Sequence, residues 1–360
     1  MRAALNTWRE SSSLLLIAKT NFVPPVSGTA TDFNYKLLSI KRSTKSKFMP
    51  DTHVFPGGNI SSADKSTDWL QLYEKFGFQR DAFARLDYKV NRPPILQDYD
   101  SENAKEQLPQ FLSLRIGAIR ETFEECGILI CRSYKINYKE RMARWASFIG
   151  GPEIKKWQDL VHDDPQKFLE LCHKFEVYPD VWALKEWANW STPATIPRKF
   201  DTMFFLAAFY ETPAAYAEKH EVQHLEWATP KDYVLRNRLE EIALPPPQFY
   251  EISRLGNFLD VDRLMKFAHE RAAQGIERFI PVHCKTDKGV YAILPGDDLY
   301  PDSPESVDGA LEMAHLPDSE VQNRVQHKTL YLHDLCVKNY TPKCGHVVPI
   351  DFPSNGGHKL

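Results

Sequence analysis

Three glutamates in this sequence have a spacing that suits metal binding. Glu121, Glu124 and Glu125 stand at positions i, i+3 and i+4 of the segment Arg120–Ile128. On a helix this spacing places the three carboxylates on neighbouring turns of one face, where like charges repel one another. A hard divalent cation such as Mg²⁺ prefers oxygen ligands and would remove that repulsion. Taken alone, the spacing also fits a solvated acidic helix end.

A glycine turn upstream of the glutamates favours the metal interpretation. The segment Phe55–Gly58 is followed, after five intervening residues, by Asp64. Together the two segments resemble the signature of the Nudix hydrolases, G-x5-E-x7-R-E-U-x-E-E-x-G-U, in which U is a bulky apolar residue. Gly58 fills the first glycine position, and the second half is filled by Arg120, Glu121, Glu124, Glu125, Gly127 and Ile128.

Three features depart from that signature. Asp64 stands in place of the first glutamate, and Thr122 occupies the first apolar position. Between Asp64 and Arg120 lie 55 residues where the signature has seven, which leaves 65–112 as an insertion of about 48 residues. Because loop-closure entropy grows slowly with length, a surface loop accommodates such an insertion at small cost. We therefore expect the insertion to be a surface loop with a short helix.

A basic segment before the glycines resembles the coenzyme A signature of some Nudix hydrolases. In that signature an Arg-Ser pair at a strand end and a second basic residue precede F-P-G-G. Arg42 and Ser43 match it in register, Lys47 stands where it has arginine, and Asp51 replaces its glycine. The resemblance implies that Arg42, Ser43 and Lys47 bind the substrate, since a 3′-phosphate favours charge-assisted donors. A solvated basic loop is the alternative.

Further segments recur, in the same order, in the peroxisomal coenzyme A diphosphatase branch of the family. The longest are Pro179–Leu184, Arg198–Thr202 and Leu244–Glu251. This resemblance implies the α/β fold class, with a Nudix α/β/α sandwich built around a mixed sheet. It also implies one Nudix domain over about 8–300, with insertions at about 65–112 and 132–200, and a C-terminal extension over 301–360.

The resemblance also implies an activity, namely hydrolysis of the diphosphate bridge of coenzyme A and acyl-CoA. The products would be 3′,5′-ADP and 4′-phosphopantetheine or its acylated form. Mg²⁺ or Mn²⁺ would be the cofactor. Its ligands would be Glu121, Glu124 and Glu125.

Other residues would support the reaction without binding the metal. Arg120 lies four residues before Glu124 and would orient that carboxylate through an i,i+4 pair. Gly57 and Gly58 would let the backbone approach the metal and the diphosphate closely, as glycine readily allows. We interpret Glu221, which lies outside the signature, as the general base; a surface glutamate is the alternative.

Two other functions remain open at this point. One is a pyrophosphatase for NADH or ADP-ribose, although the zinc-type cysteine cluster and the aromatic-proline array of the NADH enzymes are missing. The other is a non-catalytic Nudix module that binds RNA or a protein. Such modules usually lose signature glutamates, whereas all three are present here.

Composition excludes some classes of partner. A net charge of −3 in 360 residues argues against a nucleic-acid binder that relies on general electrostatics. No apolar run approaches the length of a membrane span. The six cysteines form no C-x-x-C pair, so we expect free thiols. The oligomeric state stays open.

The C-terminus predicts a peroxisomal location. The last three residues are His358, Lys359 and Leu360, and the Lys-Leu pair matches the end of S-K-L-type signals. His358 departs from the usual small residue. A peroxisomal import receptor is therefore the expected protein partner, with the cytoplasm or the mitochondrion as alternative locations.

Periodicity predicts the elements that carry these residues. We expect a catalytic helix over 112–126, ended by Gly127, with a buried strand starting at Ile128. Helices are also predicted at 69–76, 252–272 and 141–175, the last interrupted at Gly150–Pro152 and Pro165. Strands are predicted at 12–19, 35–41, 53–55, 203–211 and 225–227, with a hairpin joining 280–283 to 290–294. Beyond about 300 we expect a polar wrap or tail.

Overall fold

A computed structural model of the chain describes residues 8–20, 32–46, 48–97, 107–133, 145–218, 221–307, 309–327, 329 and 333–352. The strands are β1 Arg9–Lys19, β2 Tyr35–Arg42, β3 His53–Val54, β4 Gly57–Asn59, β5 Cys131–Ser133, β6 Val177–Pro179, β7 Lys185–Ser191, β8 Phe200–Phe209, β9 Val222–Ala228, β10 Arg278–Phe279, β11 Val282–Thr286, β12 Gly289–Ile293, β13 Leu311–Glu312, β14 Gln322–His327 and β15 His333–Lys338. The α-helices are α1 Asp68–Lys75, α2 Gln110–Cys126, α3 Pro152–Asp163, α4 Lys167–Lys174, α5 Pro230–Arg238, α6 Pro246–Leu255 and α7 Val261–Arg271.

A mixed sheet lies at the centre of the described part of the chain. Its strands run in the order β10-β7-β8-β1-β2-β3, with β4 also paired to β1 and β9 to β2. Strand β1 pairs parallel with β8 and antiparallel with β2 and β4. The central place of β1 follows from its continuous apolar run Leu14–Ala18, which is fully buried, as expected of a strand covered on both faces.

Helices cover both faces of this sheet. Because successive side chains of a strand point to opposite faces, Leu14 and Leu16 lie in one hydrophobic core and Leu15 and Ile17 in the other. The first core includes the apolar residues of α2, α3 and α4. The second core includes those of α5, α6 and α7. The expected α/β/α sandwich around a mixed sheet is therefore confirmed.

The insertion at 65–112 is not a surface loop, so that prediction is wrong for its described residues. The rings of Phe78 and Phe83 stack on Trp182, with centroids 4.6 Å and 5.2 Å from that of the indole. Arg92 donates to the buried Glu186 carboxylate of β7 at 2.6 Å. Aromatic side chains of the insertion bury enough apolar surface to make it part of the core.

The two ends of the insertion lie side by side. Ser66 and Gln107 form an antiparallel bridge, and the Leu108 N–H donates to the Lys65 carbonyl at 2.9 Å. The chain therefore leaves the region of the signature residues and returns to it at one place. Residues 98–106 lie outside the described part of the chain.

Two long predicted helices are divided in the structure. The stretch 141–175 contains α3 and α4, but 145–150 is not helical, and α3 starts only at Pro152, a residue suited to the first helical turn. The stretch 252–272 is divided between α6 and α7. Its break is stabilised by Asp260, whose side chain accepts the Arg263 N–H at 2.8 Å and caps α7.

Two strand predictions need correction. Residues 128–130 are buried as expected, but they form only one bridge, between Leu129 and Ile149, and the strand begins at Cys131. The region beyond 300 was expected to be a tail, yet it supplies β13, β14 and β15. These pair with the confirmed β11–β12 hairpin in a sheet of order β13-β11-β12-β14-β15. The side chains of β14 and β15 are mostly half-buried, and half-buried strands contain many polar residues, so the sequence did not predict them.

The described residues also bear on two compositional expectations. The six cysteines are all free thiols, as expected. Across the described segments, no helix combines the length and apolar character needed to cross a bilayer.

Candidate active site

Helix α2 places the three glutamates in a largely buried position. It ends at Gly127, whose φ of 66° is left-handed and whose N–H donates to the Phe123 carbonyl at 2.8 Å. This is the predicted helix end. Glu124 is 6% exposed and Glu125 is 5% exposed. A solvated acidic helix end is therefore excluded, because its carboxylates would lie in water.

Arg120 connects the two halves of the signature. Its guanidinium binds both oxygens of Asp64, with Nε–Oδ1 and Nη2–Oδ2 distances of 2.8 Å. The same group donates to Glu124 Oε1 at 2.6 Å, as the i,i+4 spacing predicts, and to the Asn59 carbonyl at 3.0 Å. Glu121 Oε1 lies 3.0 Å from Nη2. Arg120 is 2% exposed, so these bonds form away from water, where charge-assisted pairs are strong.

The two glycines lie against the carboxylates, and the position of Gly57 requires glycine. The Gly57 N–H donates to Glu125 Oε2 at 2.8 Å. Gly57 has a φ of +153°, and a Cβ there would lie 2.3 Å from the Ser12 carbonyl oxygen. A Cβ on Gly58 would lie 2.4 Å from Glu121 Oε2. The backbone therefore approaches the acidic residues as closely as the sequence predicted.

The carboxylates resist ionisation in this environment. Burial raises the pKa of Glu121 to about 7, with Arg120 opposing the shift and Glu124 adding to it. Burial also raises the pKa of Glu125 well above its usual value, and the charge of Glu121 adds to that rise. A nearby cation would favour the ionised forms, because opposite charge lowers the pKa of a carboxyl group.

The donor set fits a hard divalent cation. Each of the three glutamates has one oxygen held by Arg120 or by the Gly57 N–H, and the other has no protein donor among the described residues. Carboxylate oxygens are what Mg²⁺ and Mn²⁺ prefer. Within those same residues no three acidic, histidine or cysteine side chains already converge as a cation cage. The fit of the three glutamates to a divalent cation therefore rests on the type of their donor atoms and on their negative charge.

The loop before β9 runs along the end of α2. The Tyr216 N–H donates to the Cys126 carbonyl at 2.7 Å, and the Glu218 N–H donates to the Glu125 carbonyl at 3.1 Å. Glu221 is exposed, and its charge contributes to the raised pKa values of Glu124 and Glu125, which burial mainly causes. The structure thus brings Glu221 close to the acidic residues.

The basic segment adjoins the same loop. The Ser43 N–H donates to the Glu221 carbonyl at 2.8 Å, and Arg42 binds Ser46 Oγ through Nε at 3.1 Å and Nη2 at 2.8 Å. The charge of Arg42 opposes the mainly burial-driven rise in the pKa of Glu125. Lys47 lies outside the described residues.

Asp51 shows why the coenzyme A signature has glycine at its position. Its φ is 57°, in the left-handed region that glycine adopts without strain and that aspartate tolerates better than most residues. Its carboxylate pairs with Lys41 Nζ at 2.9 Å. Lys41 is therefore engaged within the turn, which leaves Arg42 as the better candidate for phosphate.

Sequence reasoning missed two contributions. The sequence shows that Asp64 replaces a glutamate but does not show that it pairs with Arg120. Its position in the signature is the signal that could have indicated a role. Glu218 was not singled out, although its carboxylate accepts the Glu221 N–H at 2.6 Å and so shapes the loop. Thr122, the other departure, is buried with its hydroxyl bonded to the Ala118 carbonyl at 2.7 Å.

Known proteins share this sequence and fold. A family model described as the NUDT19 Nudix domain matches residues 8–255. The chain is 33% identical over 385 residues to "Acyl-coenzyme A diphosphatase NUDT19" of Xenopus laevis, covering 100% of both chains. It is 34% identical to the Homo sapiens protein of the same name, covering 97% of this chain and 96% of the human one.

A solved structure adds independent support for the fold. The crystal structure of a NUDIX hydrolase from Alicyclobacillus acidocaldarius aligns with a TM-score of 0.51 at 18% identity. The alignment covers 72% of this chain and 96% of that one. At this level of identity the likeness concerns the fold alone.

The Arg120–Asp64 pair generates a prediction. Asp64→Asn removes the bidentate partner of a buried guanidinium, so we expect the free energy of unfolding in urea to fall by about 3–5 kcal/mol. The matched control is Asp81→Asn, an exposed aspartate of the insertion that follows Asp64, which should change stability by less than about 0.5 kcal/mol. Equal stability of the two variants would contradict the role given to Asp64.

Proposed function

The chain belongs to the NUDT19 family of Nudix hydrolases, and from this membership we propose that it hydrolyses coenzyme A and acyl-CoA at the diphosphate bridge. The products are 3′,5′-ADP and 4′-phosphopantetheine or its acyl form. The observation that carries this proposal is the similarity, over nearly the full length, to proteins named acyl-coenzyme A diphosphatase. The three glutamates of the catalytic helix, Glu121, Glu124 and Glu125, support an enzyme rather than a non-catalytic module.

Nudix hydrolases generally depend on a divalent metal ion, and we propose Mg²⁺ or Mn²⁺ here. Glu121, Glu124 and Glu125 would hold it. When bound, the ion neutralises the anionic diphosphate and makes an attacking water more acidic. This role matches the raised pKa values of Glu121 and Glu124, since burial disfavours their negative charge and a nearby cation would favour it.

The remaining residues orient the metal-binding carboxylates, accept a proton from the attacking water and bind the substrate. Arg120 fixes the Glu124 carboxylate, and through Asp64 and Asn59 it fixes the glycine turn against α2. The Gly57 N–H holds Glu125. We assign proton acceptance from the attacking water to Glu221. This residue is exposed to solvent and lies next to the acidic cluster formed by Glu121, Glu124 and Glu125. Arg42 and Ser43 would bind the 3′-phosphate half of the substrate, together with Lys47.

The metal assignment predicts a loss of turnover. Glu124→Gln and Glu125→Gln each replace an anionic oxygen by an amide without changing side-chain volume. We expect kcat for coenzyme A to fall by at least two orders of magnitude, about 2.7 kcal/mol of activation barrier. Turnover should be measured with coenzyme A, acyl-CoA, NADH and ADP-ribose, with Mg²⁺ or Mn²⁺ and with chelator.

A control and two adverse outcomes make that test decisive. Glu74→Gln, an exposed position on α1, should keep wild-type kcat. A folded Glu124→Gln/Glu125→Gln double variant with near-normal kcat would refute the metal assignment. A preference of the wild-type protein for NADH or ADP-ribose over both coenzyme A substrates would refute the proposed function.

The basic segment that contains Arg42 predicts that the enzyme discriminates between substrates with and without a 3′-phosphate. Arg42→Ala removes a charge-assisted donor, so we expect KM for coenzyme A to rise by the equivalent of about 1.5–3 kcal/mol, with little change for dephospho-coenzyme A. Lys36→Ala, an exposed lysine of the same strand, is the matched control for loss of positive charge. Equal effects of Arg42→Ala on both substrates would mean that the turn does not read the 3′-phosphate.

We also propose a peroxisomal location, supported by the Lys359-Leu360 ending and by the resemblance to a peroxisomal branch. His358, Lys359 and Leu360 lie outside the described residues. Deleting them should leave the enzyme active but spread through the cytosol, as seen by fluorescence microscopy of a protein tagged at its N-terminus and, separately, at an internal loop. An unchanged distribution would reject an import receptor that recognises this end, and a mitochondrial pattern would favour the mitochondrion, the alternative location.

A further inference from the structure

The loop before β9 binds two carbonyl groups at the end of the catalytic helix. The last four carbonyl groups of an α-helix have no partner within the helix, so other segments must supply donors. In α2, the Cys126 carbonyl accepts the Tyr216 N–H at 2.7 Å, and the Glu125 carbonyl accepts the Glu218 N–H at 3.1 Å. Residues 216–218 therefore lie against the end of the helix that carries the three glutamates.

One side chain joins this loop to the helix a further time. Gln158 lies on α3 and is 3% exposed. Its Nε2 atom donates to the Glu124 carbonyl at 2.9 Å and to the Tyr216 carbonyl at 2.9 Å. A glutamine amide has two N–H donors, and these two bonds use both of them. Gln158 therefore connects the main chain of the helix to the main chain of the loop, away from water.

Glu221, the assigned general base, follows on the same loop. Its N–H donates to the Glu218 carboxylate at 2.6 Å, and its carbonyl accepts the Ser43 N–H at 2.8 Å. Glu218 is in turn bound to the end of α2 through its own N–H. The main chain of Glu221 is therefore connected to the catalytic helix through the part of the loop that Gln158 holds.

This connection matters for catalysis because a general base acts only within hydrogen-bond reach of the water that it deprotonates. We propose that Gln158 is a positioning residue of the reaction, which fixes the loop of Glu221 against the catalytic helix. The inference rests on the proposed function and on the assignment of Glu221 as the base. It also gives a role to α3, which lies in the segment 132–200 that the sequence predicts as an insertion.

Removing the two donors of Gln158 tests this role. Gln158→Met keeps the length of the side chain but donates to neither carbonyl. We expect kcat for coenzyme A to fall by about tenfold or more, because a small displacement of a catalytic group is costly. KM for coenzyme A should change by less than about twofold, and so should the dissociation constant of Mn²⁺ measured by titration calorimetry, because no substrate-binding or carboxylate side chain is replaced.

A double-mutant cycle separates positioning of the base from a general effect on the fold. Glu221→Gln alone should lower kcat by about a hundredfold or more. In that background, Gln158→Met should change kcat by less than about twofold, because residues that act through one another are not additive. Gln158→Glu keeps the size of the side chain and loses the Nε2 donor, and it repeats the cycle if Gln158→Met does not fold.

A control and the adverse outcomes complete the design. Gln71→Met makes the same replacement at an exposed position of α1 and should leave kcat, KM and Mn²⁺ binding unchanged. Normal kcat in folded Gln158→Met and Gln158→Glu, or full loss from either change in the Glu221→Gln background, would reject the inference and leave the proposed function standing. Normal kcat in Glu221→Gln would reject the base and the inference together. A wild-type protein that hydrolyses neither coenzyme A nor acyl-CoA would reject the proposed function itself.

Discussion

The pairing of one buried guanidinium with its acidic neighbours is the interaction on which the site depends. Arg120 is 2% exposed and binds Asp64, the Asn59 carbonyl and Glu124, so three separate segments meet at one side chain. A buried charge without partners is costly, and removing a partner from a buried pair destabilises a protein by about 3–5 kcal/mol. The glycine turn, Asp64 at the first acidic position of the divided signature, and the catalytic helix are therefore held in one arrangement.

This constraint explains how the site tolerates a long insertion between its halves. The insertion leaves and returns at adjacent residues, where the Leu108 N–H binds the Lys65 carbonyl at 2.9 Å. Its residues then pack around Trp182, so its aromatic side chains enlarge one core of the sandwich. Because the insertion is closed at its base, the relative positions of Asp64 and Arg120 do not depend on the length of the inserted chain. Packing of the inserted residues contributes burial that offsets the entropy of ordering them.

The electrostatics of the site follow from the same burial. Three carboxylates lie in a largely buried region, and Arg120 supplies one positive charge among them, so the pKa of Glu121 rises to about 7. A cation bound there would favour the ionised carboxylates, because opposite charge lowers the pKa of a carboxyl group. The basic segment adjoins the loop that runs along the end of the catalytic helix, which suits a substrate with an anionic half.

The sequence by itself determined the catalytic helix, its end at Gly127, the glycine turn and the central strand β1. These features depend on local spacing and periodicity, which neighbouring residues specify. It also determined the candidate metal ligands, because Glu121, Glu124 and Glu125 are close in the chain. Only the tertiary structure decided that the insertion is core, that β13–β15 extend a sheet, and that the loop of Tyr216 and Glu218 adjoins the end of the catalytic helix. Those features arise from contacts between distant segments, and no local pattern encodes which distant surface a half-buried residue will meet.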